Sequence, residues 1–322
     1  MAFRKPMKQG RKQGLKILIF GEDNSGKSLF VLSFPEVAVI DTEAKLGVYE
    51  GTLEAKNIVV IEDSSKYDDV LDRIKEAIAD DICKTFAIDS ETYVYQGEEV
   101  ACLEVEERKA RKKKGDVDDQ VVSLRGHGRI RLNTCRLKLL KAQASAKGIT
   151  VISTAHKKDI MKKVGDTNIK IGEEPVLGKN SGHDFDVILR LYKEKDLATG
   201  KYKFFAEVIK DTTRTLELGS IIENPSYDLF KDYIEQHENL NTISASYDKA
   251  IDDNIKVLEE EAKNFDTLVE EFETLFKKLK EQDKNNITKV KELLIKHNVD
   301  SYKKPENFDG LKEVVAELKK IA

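Results

Sequence analysis

The chain has no tryptophan and only three cysteines, Cys83, Cys102 and Cys135. The cysteines show neither metal-ligand spacing nor a disulfide pattern, which fits a reducing, cytoplasmic compartment. No apolar run approaches the roughly 20 residues of a membrane-spanning helix, so no membrane partner is expected. The N-terminus lacks the apolar stretch of a secretory signal. Acidic residues are absent from positions 1–16, which carry Arg4, Lys5, Lys8, Arg11, Lys12 and Lys16. Residues 1–14 therefore read as a basic arm. The chain contains no internal repeat. Hydrophobic residues make up 40% of its 322 positions, enough for a sizeable core, and the 35% of charged residues call for long solvated helices.

The most informative segment is Gly21-Glu22-Asp23-Asn24-Ser25-Gly26-Lys27-Ser28, a full match to the spacing G-x-x-x-x-G-K-[ST]. It follows the apolar run 15–20 and precedes Leu29-Phe30-Val31-Leu32, so a strand, a glycine loop and a helix start are in the required order. The loop's backbone N–H groups cradle phosphates, Lys27 adds charge at the β/γ-phosphates, and the Ser28 hydroxyl can hold Mg²⁺. ATP and Mg²⁺ are the expected cofactors.

Residues 15–236 alternate apolar runs with helical patterns, which predicts an α/β fold with a mostly parallel central sheet. The expected strands are 15–20, 37–41, 58–61, 85–89 and 149–155, each apolar on both faces, as a doubly covered sheet requires. Runs near 187–193 and 203–210 flank Asp196-Leu197-Ala198-Thr199-Gly200 and read as an antiparallel hairpin. Residues 104–118 are nearly all charged and read as a solvated helix or a loop, and 157–185 as a long irregular loop. From about 245 a helical extension begins. Ile251, Ile255, Leu258, Ala262, Phe265, Val269, Phe272, Phe276 and Leu279 form a heptad seam. It can pack on its own domain or on another subunit. Two short helices follow, near 286–297 and 308–321, completing a 245–322 extension.

Three strand ends carry candidate chemistry. Asp89 ends 85–89 and can accept from a Mg²⁺-bound water. Glu43 follows the strand ending in Asp41 and is either a general base for an attacking water, or a helix N-cap or loop charge. His156 ends 149–155 and is either a γ-phosphate sensor or structural.

Taken in order, the P-loop, Ile40-Asp41-Thr42-Glu43, Ile88-Asp89-Ser90 and Thr154-Ala155-His156 resemble the RecA-type recombinase ATPase core. Within it, the bacteriophage RecA-like nucleotide-binding proteins linked to single-strand annealing are similar in Ser153-Thr154-Ala155-His156-Lys157 and Glu223-Asn224-Pro225. The resemblance implies a catalytic role for Glu43, a Mg²⁺-associated role for Asp89 and a sensor role for His156, where the family often has Gln. It implies a homo-oligomer, ring or filament, in which a base at the end of a late strand reaches the neighbouring subunit's γ-phosphate. Lys210 fits that position. The family's second base falls on Thr212 here, leaving Arg214 as its replacement if the backbone bulges. The resemblance also implies single-stranded DNA as a partner, held by loops 103–128 (Arg108, Lys109, Arg111, Lys112, Lys113, Lys114) and 157–185 (Lys157, Lys158, Lys162, Lys163, Lys170). The role implied is recombination, annealing or replication in a phage or bacterial cytoplasm, with a phage or host single-strand-binding or replication protein as a further partner. Interleaved acids in both loops keep an alternative open, a nucleotide-dependent protein-interaction ATPase without direct DNA binding. A ring helicase is the weaker third reading.

Overall fold

The structure, a computed structural model, describes residues 10–112, 128–165, 167–178, 180–238, 240, 247–283 and 285–321. Residues 1–245 and 246–322 form two compact units.

Among the described residues of the first unit nine strands form the sheet system: β1 (Lys16–Gly21), β2 (Val37–Asp41), β3 (Ile58–Asp63), β4 (Thr85–Asp89), β5 (Thr150–Val164), β6 (Thr167–Pro175), β7 (Val187–Lys195), β8 (Tyr202–Asp211) and β9 (Ile221–Glu223). Their order is β3-β2-β4-β5-β1-β7-β8-β9, with β6 paired to β5. The six strands from β3 to β7 in that order are mutually parallel, and β8 and β9 add antiparallel pairs. This is the expected mostly parallel α/β core.

The period of two sorts the central side chains onto two faces. Ile17 and Ile19 of β1 join Val37, Val39 and Ile152 on the face covered by α1 (Lys27–Leu32), which adds Phe30 and Val31. Leu18 and Phe20 point the other way, with Ala155, Phe185 and Ile188. Further along that face, Ala38, Ile40, Phe86 and Ile88 pack under α2 (Tyr67–Asp80) and α4 (Gly128–Lys147), between which α3 (Glu91–Lys112) falls in the chain. Each Val, Leu, Ile or Phe among them contributes roughly 1.5–3 kcal/mol when fully buried, so the strand ends are anchored in a buried core.

Two expectations need correction, and a third resolves to one of its two forms. Strand β3 is apolar in sequence but not buried on both faces. It lies at the sheet's edge, with Val59 and Val60 exposed. Residues 157–185 are not an irregular loop. β5 runs on to Val164 and pairs antiparallel with β6 to make a ribbon, from Lys157↔Pro175 to Val164↔Thr167. The charged stretch is helical as far as Lys112, and there Arg108, Lys109 and Arg111 each pair with a glutamate three or four residues earlier. Residues 113–127, including Lys113 and Lys114, and the arm 1–9 lie outside the described residues.

The hairpin around 196–200 is present. Asp196 Oδ1 accepts from the N–H groups of Ala198 and Thr199, and Gly200 supplies the positive φ that closes the turn. α5 (Lys231–Glu238) follows β9. In the second unit, α6 (Tyr247–Gln282), α7 (Asn286–Lys296) and α8 (Phe308–Ile321) share a core of Phe272, Leu279, Val290, Leu311, Val314 and Leu318. The later part of the seam, from Phe265 to Leu279, thus packs within its own unit. Ile251, Ile255 and Leu258 at its start are exposed.

Candidate nucleotide site

Three parallel strands, β1, β2 and β4, end together at one edge of the core, and β5 passes beyond it. In register, Gly21 of β1 lies beside His156 of β5, and Asp41 of β2 beside Asp89 of β4. One strand, β5, separates β1 from β4. The chain reverses its direction of travel across the sheet here, which is where open α/β sheets place ligands. A cleft of about 690 Å³ opens at this edge, lined by the 23–29 loop and by Glu43, Lys45, Asp89, His156 and Phe204.

Two glycines shape the loop. A side chain at Gly21 would meet the Leu191 carbonyl at 2.0 Å, and Gly26 has φ +90°, a conformation that L-residues avoid. Ser25 closes the turn by donating to the Glu22 carbonyl at 2.8 Å. Lys27 Nζ donates to the carbonyls of Gly21 and Glu22, at 3.2 and 2.7 Å, so the ammonium is held inside the loop's curve. Burial lowers the Lys27 pKa, and the nearby Asp89, Asp23 and Glu43 work against that shift.

Ser28 Oγ donates to Asp89 Oδ2 at 2.6 Å, and Thr154 Oγ1 donates to the other carboxyl oxygen. Burial raises the Asp89 pKa, while the two hydroxyls favour the carboxylate. Ser28 and Asp89 present hard oxygen donors beside the phosphate loop, the set that Mg²⁺ takes together with phosphate oxygens and water. Among the described residues no cluster of three or more His, Cys, Asp or Glu could cage a metal alone.

Asp41 is the loop cap, accepting from the N–H groups of Glu43 and Leu46 at 3.2 and 2.6 Å. Glu43 turns into the cleft. Its Oε1 accepts from Ser90 Oγ at 2.9 Å and lies 2.8 Å from His156 Nε2, and its Oε2 pairs with Lys45. Burial opposes ionisation of Glu43, but Lys45, His156 and Ser90 outweigh it and lower the pKa. Because an ionised carboxylate only accepts, the His156 proton sits on Nε2.

Thr42 fixes this geometry. Its N–H donates to the Asp89 carbonyl at 2.8 Å, its hydroxyl donates to the Ser90 carbonyl, and that hydroxyl accepts the Ser90 N–H. The ends of β2 and β4 are thereby pinned, with Glu43 and Asp89 side by side. Sequence reasoning gave Thr42, Ser90 and Lys45 no role, because their partners lie across the fold or depend on the turn after β2.

The structure thus gathers Lys27, Ser28, Glu43, Asp89 and His156, and it leaves Lys210 and Arg214 elsewhere. β8 runs antiparallel, so Lys210 lies beside Ile188, level with Leu18 and away from the P-loop end. Its ammonium donates to the Gly182 and Phe185 carbonyls at 3.1 and 2.6 Å. Arg214 is exposed in the following turn, with φ 64°.

Beyond His156 the site continues into the ribbon. Lys157 pairs with Glu22 of the P-loop at 2.9 Å and with Glu173 of β6, which also binds Lys170 and Arg190. Burial works against the Glu173 charge, but these three cations dominate and lower its pKa to about 2 from an ordinary 4.5. A depressed carboxylate pKa stabilises the fold above the unfolded value, and that stability fades as pH falls through the folded one. The stability difference between wild type and Glu173→Gln should therefore be constant above about pH 5, on the order of 1–3 kcal/mol after allowance for partly exposed partners. It should shrink from about pH 4.5 downward and be gone near pH 2. Urea melts of both proteins across this range test it, and a pH-independent difference would refute the assignment.

With a P-loop, an adjacent buried Asp and a carboxylate aimed at the same cleft, the fold and site define a P-loop nucleotide-binding ATPase. A family model described as an AAA domain matches residues 13–219, more than half of the chain, and the protein belongs to that family. No curated protein matches it significantly. Among the described residues no helix is long and apolar enough to cross a membrane.

Proposed function

We propose that this ATPase is a Mg²⁺-dependent, RecA-like motor that acts on single-stranded DNA in phage or bacterial recombination, annealing or replication, in the cytoplasm. The observation that carries the reading is the direct passage of β5 from the cleft to the ribbon: His156 touches Glu43, and Lys157 touches Glu22.

In this reading Glu43, held as a carboxylate, orients water and takes its proton. Lys27 neutralises charge on the transferring phosphate. Ser28 and Asp89 would hold Mg²⁺, which when bound neutralises β/γ-phosphate charge. His156 responds to the γ-phosphate through its shared hydrogen bond with Glu43. Its backbone is fixed to α3 by the Thr92 hydroxyl at 3.0 Å and to the ribbon's end by the Val176 N–H at 2.8 Å. A displaced His156 thus shifts the ribbon. Lys210, with Arg214, would complete the site of a neighbouring subunit in a ring or filament, since neither reaches the cleft of its own chain.

DNA is assigned to the ribbon because Lys162 and Lys163 are exposed beyond the ion pairs that engage Lys157, Lys158 and Lys170. Those neutralised lysines favour the second reading, a nucleotide-dependent ATPase whose ribbon or helical unit docks a protein such as a single-strand-binding or replication factor. Anisotropy of a labelled oligonucleotide across a salt series separates the two. For DNA binding, log affinity should fall linearly with log salt. The double variant Lys162→Ala/Lys163→Ala should flatten the slope by about 1.4, at roughly 0.7 per phosphate contact on a single strand. No binding at low salt would discard the DNA reading in favour of the protein partner.

A further inference from the structure

The cleft has a direction. Glu43, Lys45 and His156 mark the end where hydrolysis occurs, and Lys27 and Ser28 mark the middle. A triphosphate laid along the P-loop with its γ-phosphate toward Glu43 must carry its base away from that end, toward the flank beyond Gly26. An aromatic side chain stands there. The Phe204 ring lies 3.5 Å from the position a Cβ would take on Gly26, and it lines the cleft.

Phe204 is held where it is by the sheet. It pairs with Lys193 across the β7–β8 ladder, and its carbonyl accepts from the Asn224 N–H at 2.8 Å. It shares a strand face with Ala206 and Val208, which belong to the core under α1. Its neighbours grip the same loop from the same side: Lys193 Nζ donates to the Asp23 carbonyl at 3.3 Å and lies 5.4 Å from the Tyr202 ring. Phe204 is only partly buried. An aromatic ring that the core does not enclose, fixed by main-chain pairing next to a phosphate loop, suits a flat apolar ligand.

We propose that Phe204 is the platform on which the nucleotide's base stacks. The inference rests on the nucleotide-binding reading and adds to it the residue that distinguishes a nucleotide from a bare polyphosphate. Stacking uses the π-face common to every base, so Phe204 contributes affinity without selecting adenine over guanine.

The test compares ATP, GTP and inorganic tripolyphosphate, each with Mg²⁺, on wild type, Phe204→Leu and Phe204→Trp by equilibrium titration. Leucine keeps apolar bulk against Gly26 and removes the aromatic face. Phe204→Leu should weaken ATP and GTP alike, on the order of tenfold, and leave tripolyphosphate unchanged. The chain has no other tryptophan, so emission from Phe204→Trp reports this position alone. It should change on adding ATP and not on adding tripolyphosphate. Equal weakening of all three ligands would mean that the ring merely buttresses the loop, and unchanged ATP affinity would mean that the base lies elsewhere; either overturns the proposal. If wild type binds neither ATP nor tripolyphosphate, the nucleotide reading itself fails, a result distinct from both.

Discussion

Lys27→Ala is expected to cut ATP turnover by on the order of 10²–10³-fold, the size of effect seen when one preorganised charge donor is removed from a transition state. The ammonium is the cation held within the loop's own curve, bound to the Gly21 and Glu22 carbonyls. Its removal leaves phosphate charge facing those carbonyls and Asp89 without the ammonium that offsets it. Phosphoryl transfer depends on positioning and charge stabilisation more than on covalent chemistry, so the loss should appear in kcat and in nucleotide affinity together. Phosphate-release kinetics measure it, with circular dichroism melts to establish that the variant folds. Turnover within tenfold of wild type would contradict the P-loop assignment.

Glu43→Gln should behave differently. Glutamine keeps an oxygen to accept from Ser90 Oγ and fills the same space, but it cannot take a proton. Loss of a general base lowers the rate by about 10²–10⁴-fold. Because Glu43 faces water rather than the phosphate loop in this mechanism, ATP affinity should stay within a few-fold. The split, kcat lost and binding kept, is the signature of an interaction made only in the transition state. If binding and turnover fell in proportion, Glu43 would be a structural partner of Lys45 and His156 and another group would have to serve as base.

The parts of this protein that were legible in its sequence are those encoded locally. The P-loop is a contiguous string with fixed spacing, and the central strands are short Val/Ile runs that two-sided burial demands. The missed features depend on distant pairing. The ribbon from 157 to 175 reads as loop because its residues are polar, yet its charges meet across the ladder: Lys158 faces Glu174, and Lys157 reaches Glu173. The β3 run has the composition of a central strand, and only the strand order reveals that Val59 and Val60 sit at an edge. Lys210 was found as a strand-end base, but the direction of that strand decides which end of the sheet it occupies. Thr42 and Ser90 are 48 positions apart, and no local pattern announces their mutual hydrogen bonds.

β5 has a mechanical consequence. It is one strand of 15 residues, about 50 Å long at roughly 3.3 Å per residue. Its first part is clamped between β4 and β1, and the clamp ends at His156, the last position paired to β1. From Lys157 outward its ladder partner among the described residues is β6, with side-chain ties back to the core through Lys157–Glu22 and Glu173–Arg190. A small tilt at the clamp grows in proportion to distance along the strand. The slip in register between Ile160 and Met161 interrupts it partway, and a bulge bends and twists a strand locally. Compliance is thereby concentrated at one point. The register slip thus divides the ribbon into an inner segment next to the cleft and an outer segment that carries Lys162 and Lys163.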